Sequence, residues 1–327
     1  MTGDTMNFKQ INDAGTLDGY ALVKAVEKKQ SKTGATYLDM TLVDKSGEIN
    51  AKLWNYSPEA HNFEVNTIVK VRGTINIFNN APQFKIERIR NINETDDVNI
   101  EDFVPSADIS GETLYEIIYD IATKFNDAEL KKLTLALLTE YKEQLVFWPA
   151  AFRLHHAMRG GLLYHTLSIA RMAEKVATLY PTVDHDLLLA GVILHDIAKI
   201  DEFSLNKSGL VEKYTAQGKL VGHLVMGAMT IDRKGRELEI NPDTLMLLEH
   251  MLISHHGEPE FGAATRPLFL EAEILSELDG LDARIYEFEK ATQDIEKGEF
   301  SARQWALDDR NLYNHGRKTI DTNANLK

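Results

Sequence analysis

Apolar and polar positions alternate in short runs near the start of the chain. The runs are Leu17–Glu27, Thr36–Val43, Glu48–Trp54, Thr67–Phe78 and Gln83–Arg90, and their period of two predicts five strands. Ser31-Lys32-Thr33-Gly34, Asp44-Lys45-Ser46-Gly47 and Asn79-Asn80 supply turns, and Ser57–Phe63 is expected to hold a short helix between the third and fourth strands. From residue 111 the apolar spacing becomes three or four. This predicts helices at Gly111–Phe125, Ala128–Gln144, Gly161–Tyr180, Asp186–Ile200, His223–Arg236, Asp243–His255 and Leu270–Thr292.

A multidomain chain follows from this change of period. Residues 1–93 are expected to form an all-β barrel of the OB-fold type, since five strands with one helical interruption fit that scaffold. Residues 111–327 are expected to form an all-α helical bundle with a C-terminal tail from Trp305. Between them Glu94, Asp96, Asp97, Glu101, Asp102 and Pro105 mark 94–110 as an acidic linker. The longest apolar run, Leu187–Leu194, falls well short of the ~20 residues that cross a bilayer, and Met1–Gln10 lacks an apolar stretch of the secretory kind. No membrane contact and a cytoplasmic address are therefore expected.

Charge and cysteine usage narrow the chemistry. The net charge is −14, but Met1–Asn93 carries 12 Lys and Arg against 10 Asp and Glu, whereas the remainder carries 24 against 40. Acidity in the helical part suits a site that concentrates divalent cations, and equally suits an ordinary solvated surface. With no cysteine, any metal must be held by His, Asp or Glu. In the barrel, Lys24, Lys52, Arg72 and Lys85 are candidates to hold phosphates of single-stranded RNA or DNA, and Tyr37, Trp54 and Phe78 to stack on bases. Each is also compatible with barrel core or plain surface charge.

The densest chemical signal is Leu194-His195-Asp196 at the end of an apolar helix. A carboxylate beside a dry packing surface is costly unless a cation or hydrogen-bond donors compensate it. His165 falls early in a helix whose apolar positions Leu163, Leu167, Ala170, Ala173 and Ala177 would face the core beside it. His223, the pair His255-His256 and Asp279 follow. Helices that converge in a bundle can aim such groups at one point.

This order, H, then HD, then H, then HH, then D, resembles the HD superfamily of metal-dependent phosphohydrolases. The resemblance implies one divalent ion held by His165, His195, Asp196 and Asp279, and a second held by Asp196, His223, His255 and His256, with Asp282 as a fallback ligand. Manganese is the first expectation; Fe, Co, Ni, Zn or Mg would also suit the nitrogen and oxygen donors. Two such ions lower the pKa of a bridging water and clamp phosphoryl oxygens, and Lys199, one turn after His195, is expected to offset developing charge.

A longer resemblance reaches from about Leu17 into the C-terminal region. It is carried by Leu42-Val43-Asp44-Lys45-Ser46-Gly47-Glu48-Ile49-Asn50-Ala51-Lys52-Leu53-Trp54, by Pro149-Ala150-Ala151 leading to His155-His156-Ala157 and Gly160-Gly161-Leu162-Leu163, and by Ser254-His255-His256-Gly257 followed by Glu260-Phe261-Gly262 and Pro267. Together these resemble the YhaM-type 3′-to-5′ exoribonucleases of Gram-positive bacteria. Trimming of RNA, and of single-stranded DNA, from the 3′ end to 5′-mononucleotides is what this implies. His155, His156 and Arg159 would then contact the terminal nucleotide or brace the helix start. One departure is Ala198, where many HD proteins carry Gly; it removes no ligand. Two other readings stay open: hydrolysis of free nucleotides by the same site, and a single-strand-binding factor without catalysis. A homo-oligomer is also compatible, with Trp305–Lys327 as the segment that would dock on a neighbour.

Overall fold

A computed structural model describes residues 8, 11 and 14–317, apart from 32–33, 45, 55, 58–62, 79–80, 94, 97, 99–102, 104–106, 108, 152–155, 157, 207–208 and 294. The chain divides into two compact units, Met1–Ser106 with Leu205–Leu210, and Ala107–Ser204 with Val211–Lys327.

In the first unit, β1 (Gly15–Gln30), β2 (Thr36–Val43), β3 (Glu48–Leu53), β4 (Ile68–Phe78) and β5 (Ala81–Asn91) close into a barrel in the order β1-β2-β3-β5-β4. This is the expected five-stranded OB-type barrel. β1 is shared: its first part pairs with β4 and its second with β2, and Leu22 lies opposite both Val43 and Ile68. The alternation read from the sequence sets the core, with Ala21, Val23, Met40, Leu42, Ile49, Ala51, Val69, Val71, Phe84 and Ile86 packed inside. Two irregularities interrupt it, where Lys24 in β1 and Glu87 in β5 drop out of the pairing register. Most of the helix expected at Ser57–Phe63 lies outside the described residues.

Two described residues of the segment expected as a linker, Asp96 and Phe103, pack on the barrel unit. Asp96 accepts hydrogen bonds from Arg90 at 2.6 and 2.7 Å and from the Tyr20 hydroxyl at 2.9 Å, while Phe103 is buried with Tyr20, Leu22 and Ile68. An acidic composition disguised one ion pair and one aromatic anchor.

The second unit contains α1 (Gly111–Thr123), α2 (Ala128–Glu140), α3 (Lys142–Leu145), α4 (Gly161–Leu179), α5 (His185–Leu194), α6 (Lys199–Glu202), α7 (Ala216–Leu220), α8 (His223–Glu237), α9 (Pro242–Ser254) and α10 (Leu270–Thr292). The sequence reading missed a small hairpin, β6 (Phe203–Leu205) with β7 (Val211–Tyr214), set among these helices. α5 is central: every residue from Asp186 to Leu194 is buried, and it packs against α2, α4, α9 and α10. The helix expected at Asp186–Ile200 stops at Leu194, and residues 195–198 form turns. That break places His195 and Asp196 on a bend rather than along a straight helix. The helix expected at Ala128–Gln144 is likewise divided at Tyr141. After α10 the chain folds back through bridges Phe300 with Tyr313 and Gln304 with Arg310, and residues 318–327 lie outside those described. Among the described residues no helix is long and apolar enough to cross a membrane.

Two local devices hold the site-bearing elements. Gly160 has φ +72°, and a Cβ on Gly161 would lie 2.0 Å from the His156 carbonyl oxygen, so only glycine lets that segment lie on the start of α4. Asp186 ties the start of α5 to the turn before α2, accepting from the Asn126 and Asp127 N–H groups at 2.5 and 2.8 Å and facing His185 at 3.0 Å. Burial pushes the Asp186 carboxyl up, but His185 and these N–H groups outweigh it and hold the pKa below its usual value. Such a group adds stability above its unfolded pKa, about 3.9, and that stability is lost as pH falls through the lower folded value. Asp186→Ala is expected to cost about 1–3 kcal/mol in denaturant unfolding at neutral pH, with the gap to wild type closing on acidification towards about pH 2. A gap that stays constant over that range would contradict this account.

Candidate metal centre

Asp196 is the hub of the site and is 2% exposed. Its two oxygens face different imidazoles. Oδ2 lies 3.3 Å from His195 Nε2, 3.8 Å from His165 Nε2 and 2.6 Å from the Lys199 ammonium. Oδ1 lies 3.4 Å from His223 Nε2 and 3.7 Å from His255 Nε2. Asp279, from α10, closes the first side, with Oδ1 3.0 Å from His165 Nε2 and 4.0 Å from His195 Nε2. His256 completes a three-histidine group with His223 and His255. Residues from α4, the bend after α5, α8, the end of α9 and α10 thus meet in one cluster.

The outer nitrogen of each ring is anchored. His195 Nδ1 donates to the Val192 carbonyl at 2.7 Å, His255 Nδ1 to that of Leu252 at 2.8 Å, and His256 Nδ1 to that of Phe261 at 2.8 Å. His223 Nδ1 donates to Glu202 at 3.0 Å and His165 Nδ1 to Asp282 at 2.7 Å. A carbonyl only accepts, so Nδ1 of His195, His255 and His256 carries the proton, and neutral rings keep a lone pair on Nε2.

Nε2 of His195, His223 and His255 and Oδ1 of Asp196 are all buried without a hydrogen bond. Leaving each unsatisfied costs on the order of 1–3 kcal/mol. Their convergence is explained by a divalent cation, and the nitrogen and oxygen donors suit a transition metal. The residues present therefore fit such an ion.

Charge within the cluster has a consistent sense. Burial pushes the Asp196 carboxyl up, but Lys199 and the surrounding imidazoles outweigh it and leave it ionised far below the usual range. Asp279 is likewise held low, with His165 as its main partner. Burial lowers the pKa of His255 and His256, assisted by neighbouring imidazoles. His165 goes the other way: burial lowers its pKa, but Asp279 and Asp282 overcome this and raise it to about 9.

Asp282, the expected fallback ligand, accepts from His165, from His156 Nε2 at 2.9 Å and from the Ser168 hydroxyl, and forms with His156 and His165 a further buried group able to hold a metal ion. His156, expected to contact the terminal nucleotide or brace the helix start, is 3% exposed and donates to Asp282, with its ring 4.4 Å from that of Tyr286. Lys199 is buried, with its ammonium 2.6 Å from Asp196. The Ala198 methyl packs towards Gly227 of α8. The sequence reading missed Glu202, Ser168 and the bracing role of His156; the His155-His156 pair was visible, but its direction was not. His155 lies outside the described residues. Arg159 sits over the Phe147 ring at 5.0 Å.

In the barrel, Tyr37 and Trp54 stack at 4.5 Å, and Lys52 lies 5.1 Å from the Tyr37 ring centre and 3.2 Å from Asp39. Lys24 pairs with Glu48, Arg72 approaches Asp18 at 3.8 Å, and Lys85 is exposed on β5. The side chain of Phe78 lies outside the described residues.

Comparisons with known proteins agree with this geometry. Residues 162–284 match the HD domain family and residues 21–92 the OB-fold nucleic acid binding domain family. The chain is 36% identical to the 3′-5′ exoribonuclease YhaM of Bacillus licheniformis over 298 residues, covering 91% of this chain and 94% of that one. It is 38% identical to the Listeria monocytogenes serotype 4b protein of the same name, covering 91% and 95%, and 37% identical to that of Geobacillus sp., covering 91% of each.

Two expectations follow from the anchoring groups. Asp282→Asn should weaken metal affinity about 10- to 100-fold in a titration of metal-free protein, since it loosens the grip on His165; unchanged affinity would refute the bracing role. With His165 taken as a ligand, release of the proton that Asp279 and Asp282 hold on it should make affinity fall as pH is lowered. Calorimetric titrations in buffers of different ionisation enthalpy would show the released proton, and pH-independent affinity between about 7 and 8.5 would count against it.

Proposed function

The chain belongs to the YhaM family of 3′-5′ exoribonucleases, and from that premise we propose that it trims single-stranded RNA from the 3′ end to 5′-mononucleotides at the cluster centred on Asp196. The activity is that of a metal-dependent HD-type hydrolase. The observation that carries the residue assignment is the convergence of three buried Nε2 atoms and one carboxylate oxygen without partners.

We assign two ions, manganese by preference. His165, His195, Asp196 and Asp279 would hold one, and Asp196, His223, His255 and His256 the other; the division of the imidazoles between Oδ2 and Oδ1 of Asp196 supports this. Bound there, divalent cations polarise phosphoryl oxygens and activate water as a nucleophile at neutral pH. The protein does the rest. Backbone carbonyls, Glu202 and Asp282 orient the rings, and Lys199 keeps Asp196 ionised in a site with little solvent. The barrel is assigned the hold on the strand, with single-stranded DNA as a second substrate. We place this work in the cytoplasm, in keeping with an RNA substrate and a cysteine-free chain.

The test is a 5′-labelled single strand incubated with protein and Mn²⁺, beside nucleotides alone. A ladder shortening from the 3′ end is expected. His195→Ala and Asp196→Ala should each lose more than the ~100-fold that loss of a supporting group costs. Turnover of nucleotides with an intact strand would replace this reading with nucleotide hydrolysis.

A further inference from the structure

The metal cluster is not closed equally on all sides. His165, His195, Asp196, His223 and His255 are buried, whereas His256 is only partly so and 16% of the Asp279 side chain is exposed. Both of these border one cavity of about 600 Å³ in the helical unit: His256 lines it, and so do Leu278 and Gly280 on either side of Asp279. Its volume falls within the roughly 300–1,000 Å³ of small-molecule sites. A substrate whose phosphate sits at the cluster has this cavity for the rest of its terminal unit.

Two segments build the walls. On α10, Glu273, Glu277, Gly280 and Arg284 recur at intervals of three or four and share one face, with Asp279 at its edge. At 1.5 Å per residue, Glu277 lies about 3 Å and Glu273 about 9 Å along the axis on one side of Asp279, and Arg284 about 7.5 Å on the other. The loop after α9 adds Phe261, which is 71% exposed and whose carbonyl accepts from His256 Nδ1. An aromatic residue tied through its backbone to a histidine of the cluster offers a face on which a base can stack. Gly280 keeps the cavity open: a Cβ there would meet nothing within 4 Å, so a glycine in mid-helix, unfavourable in propensity, leaves room beside Asp279.

The charge of the cavity selects which part of a strand fits. Glu258 is matched by Arg266 at 2.6 Å, but among the described residues Glu273, Glu277 and Arg284 have no ion-pair partner. Two unpaired carboxylates against one guanidinium oppose a phosphate backbone running through the cavity. A carboxylate only accepts hydrogen bonds, so the pair suits a neutral group rich in hydroxyls. The nucleoside at the 3′ end is such a group, because its single phosphate is the one to be cleaved. We propose that this cavity holds the 3′-terminal nucleoside, with Glu273 and Glu277 accepting from its ribose hydroxyls and Phe261 against its base, and that the two carboxylates exclude an end bearing a 3′-phosphate. The proposal rests on the nuclease reading, which puts the scissile phosphate at the cluster.

The test compares removal of the first nucleotide from 5′-labelled oligoribonucleotides ending in 3′-hydroxyl or 3′-phosphate, with full-length protein in Mn²⁺, beside calorimetric binding of adenosine 5′-monophosphate. A terminal phosphate adds nearly two negative charges at pH 7. Wild type should therefore show kcat/KM about tenfold or more lower on the phosphate end, and Glu273→Gln with Glu277→Gln should bring the two ends within about threefold of each other. Gly280→Leu fills the cavity, and should lower kcat/KM on the hydroxyl end and weaken mononucleotide binding by about tenfold or more each. Its melting temperature should be equal or higher and its metal affinity unchanged, because leucine favours the helix and no group of the cluster is altered. A wild type that shortens both ends alike, a ratio unmoved in the double Gln variant, or a Gly280→Leu protein that trims at the wild-type rate would overturn the assignment and leave the nuclease reading intact. Mononucleotide binding that Gly280→Leu weakens, in a protein that shortens neither strand, would remove the nuclease reading and keep the cavity as a nucleoside site. Neither shortening nor mononucleotide binding would remove both.

Discussion

A carboxylate withdrawn from water dictates the design of the helical unit. Asp196 is buried at a bend, the Lys199 ammonium supplies opposing charge, and the Nε2 atoms of four imidazoles converge on its two oxygens. Desolvation alone would neutralise such a group; it stays ionised because its neighbours outweigh that effect. Every other feature of the centre serves this balance. The rings cannot turn away, since their outer nitrogens are tied to carbonyls or to the carboxylates of Glu202 and Asp282.

The same balance explains why the site is spread over so many elements. A single helix can present only two or three side chains to one point, so a cluster of this size needs several helices held in register by packing. α5 provides the fixed reference. It is apolar on all sides and surrounded by α2, α4, α9 and α10, and it ends where the His195-Asp196 bend begins. Asp282 adds a second layer by gripping His165, His156 and Ser168 together.

In the barrel, a small irregularity has a large chemical result. Taking Glu87 out of register changes which residues of β5 see solvent, turning two arginines outward beside Lys70 and Arg72. The barrel gives up some strand-pair stability there and gains a cationic surface.

Much of this was legible in the residues. The period of two set five strands within a few residues of their observed ends, and the period near 3.6 found the main helices, because both record which face is buried. The ordered histidines and aspartates named the metal-site chemistry, since few other uses explain ionisable groups inside apolar helices. What the sequence could not carry was direction. Asp279 and Asp282 share one helix, yet they meet different nitrogens of His165; His156 is buried on Asp282; Phe103 falls in the segment expected as linker and is core. Helix ends at Leu194 and the bulge at Glu87 escaped for the same reason. Local pattern determines which face of an element is apolar, but the atom a side chain meets across the fold is decided only when distant segments pack.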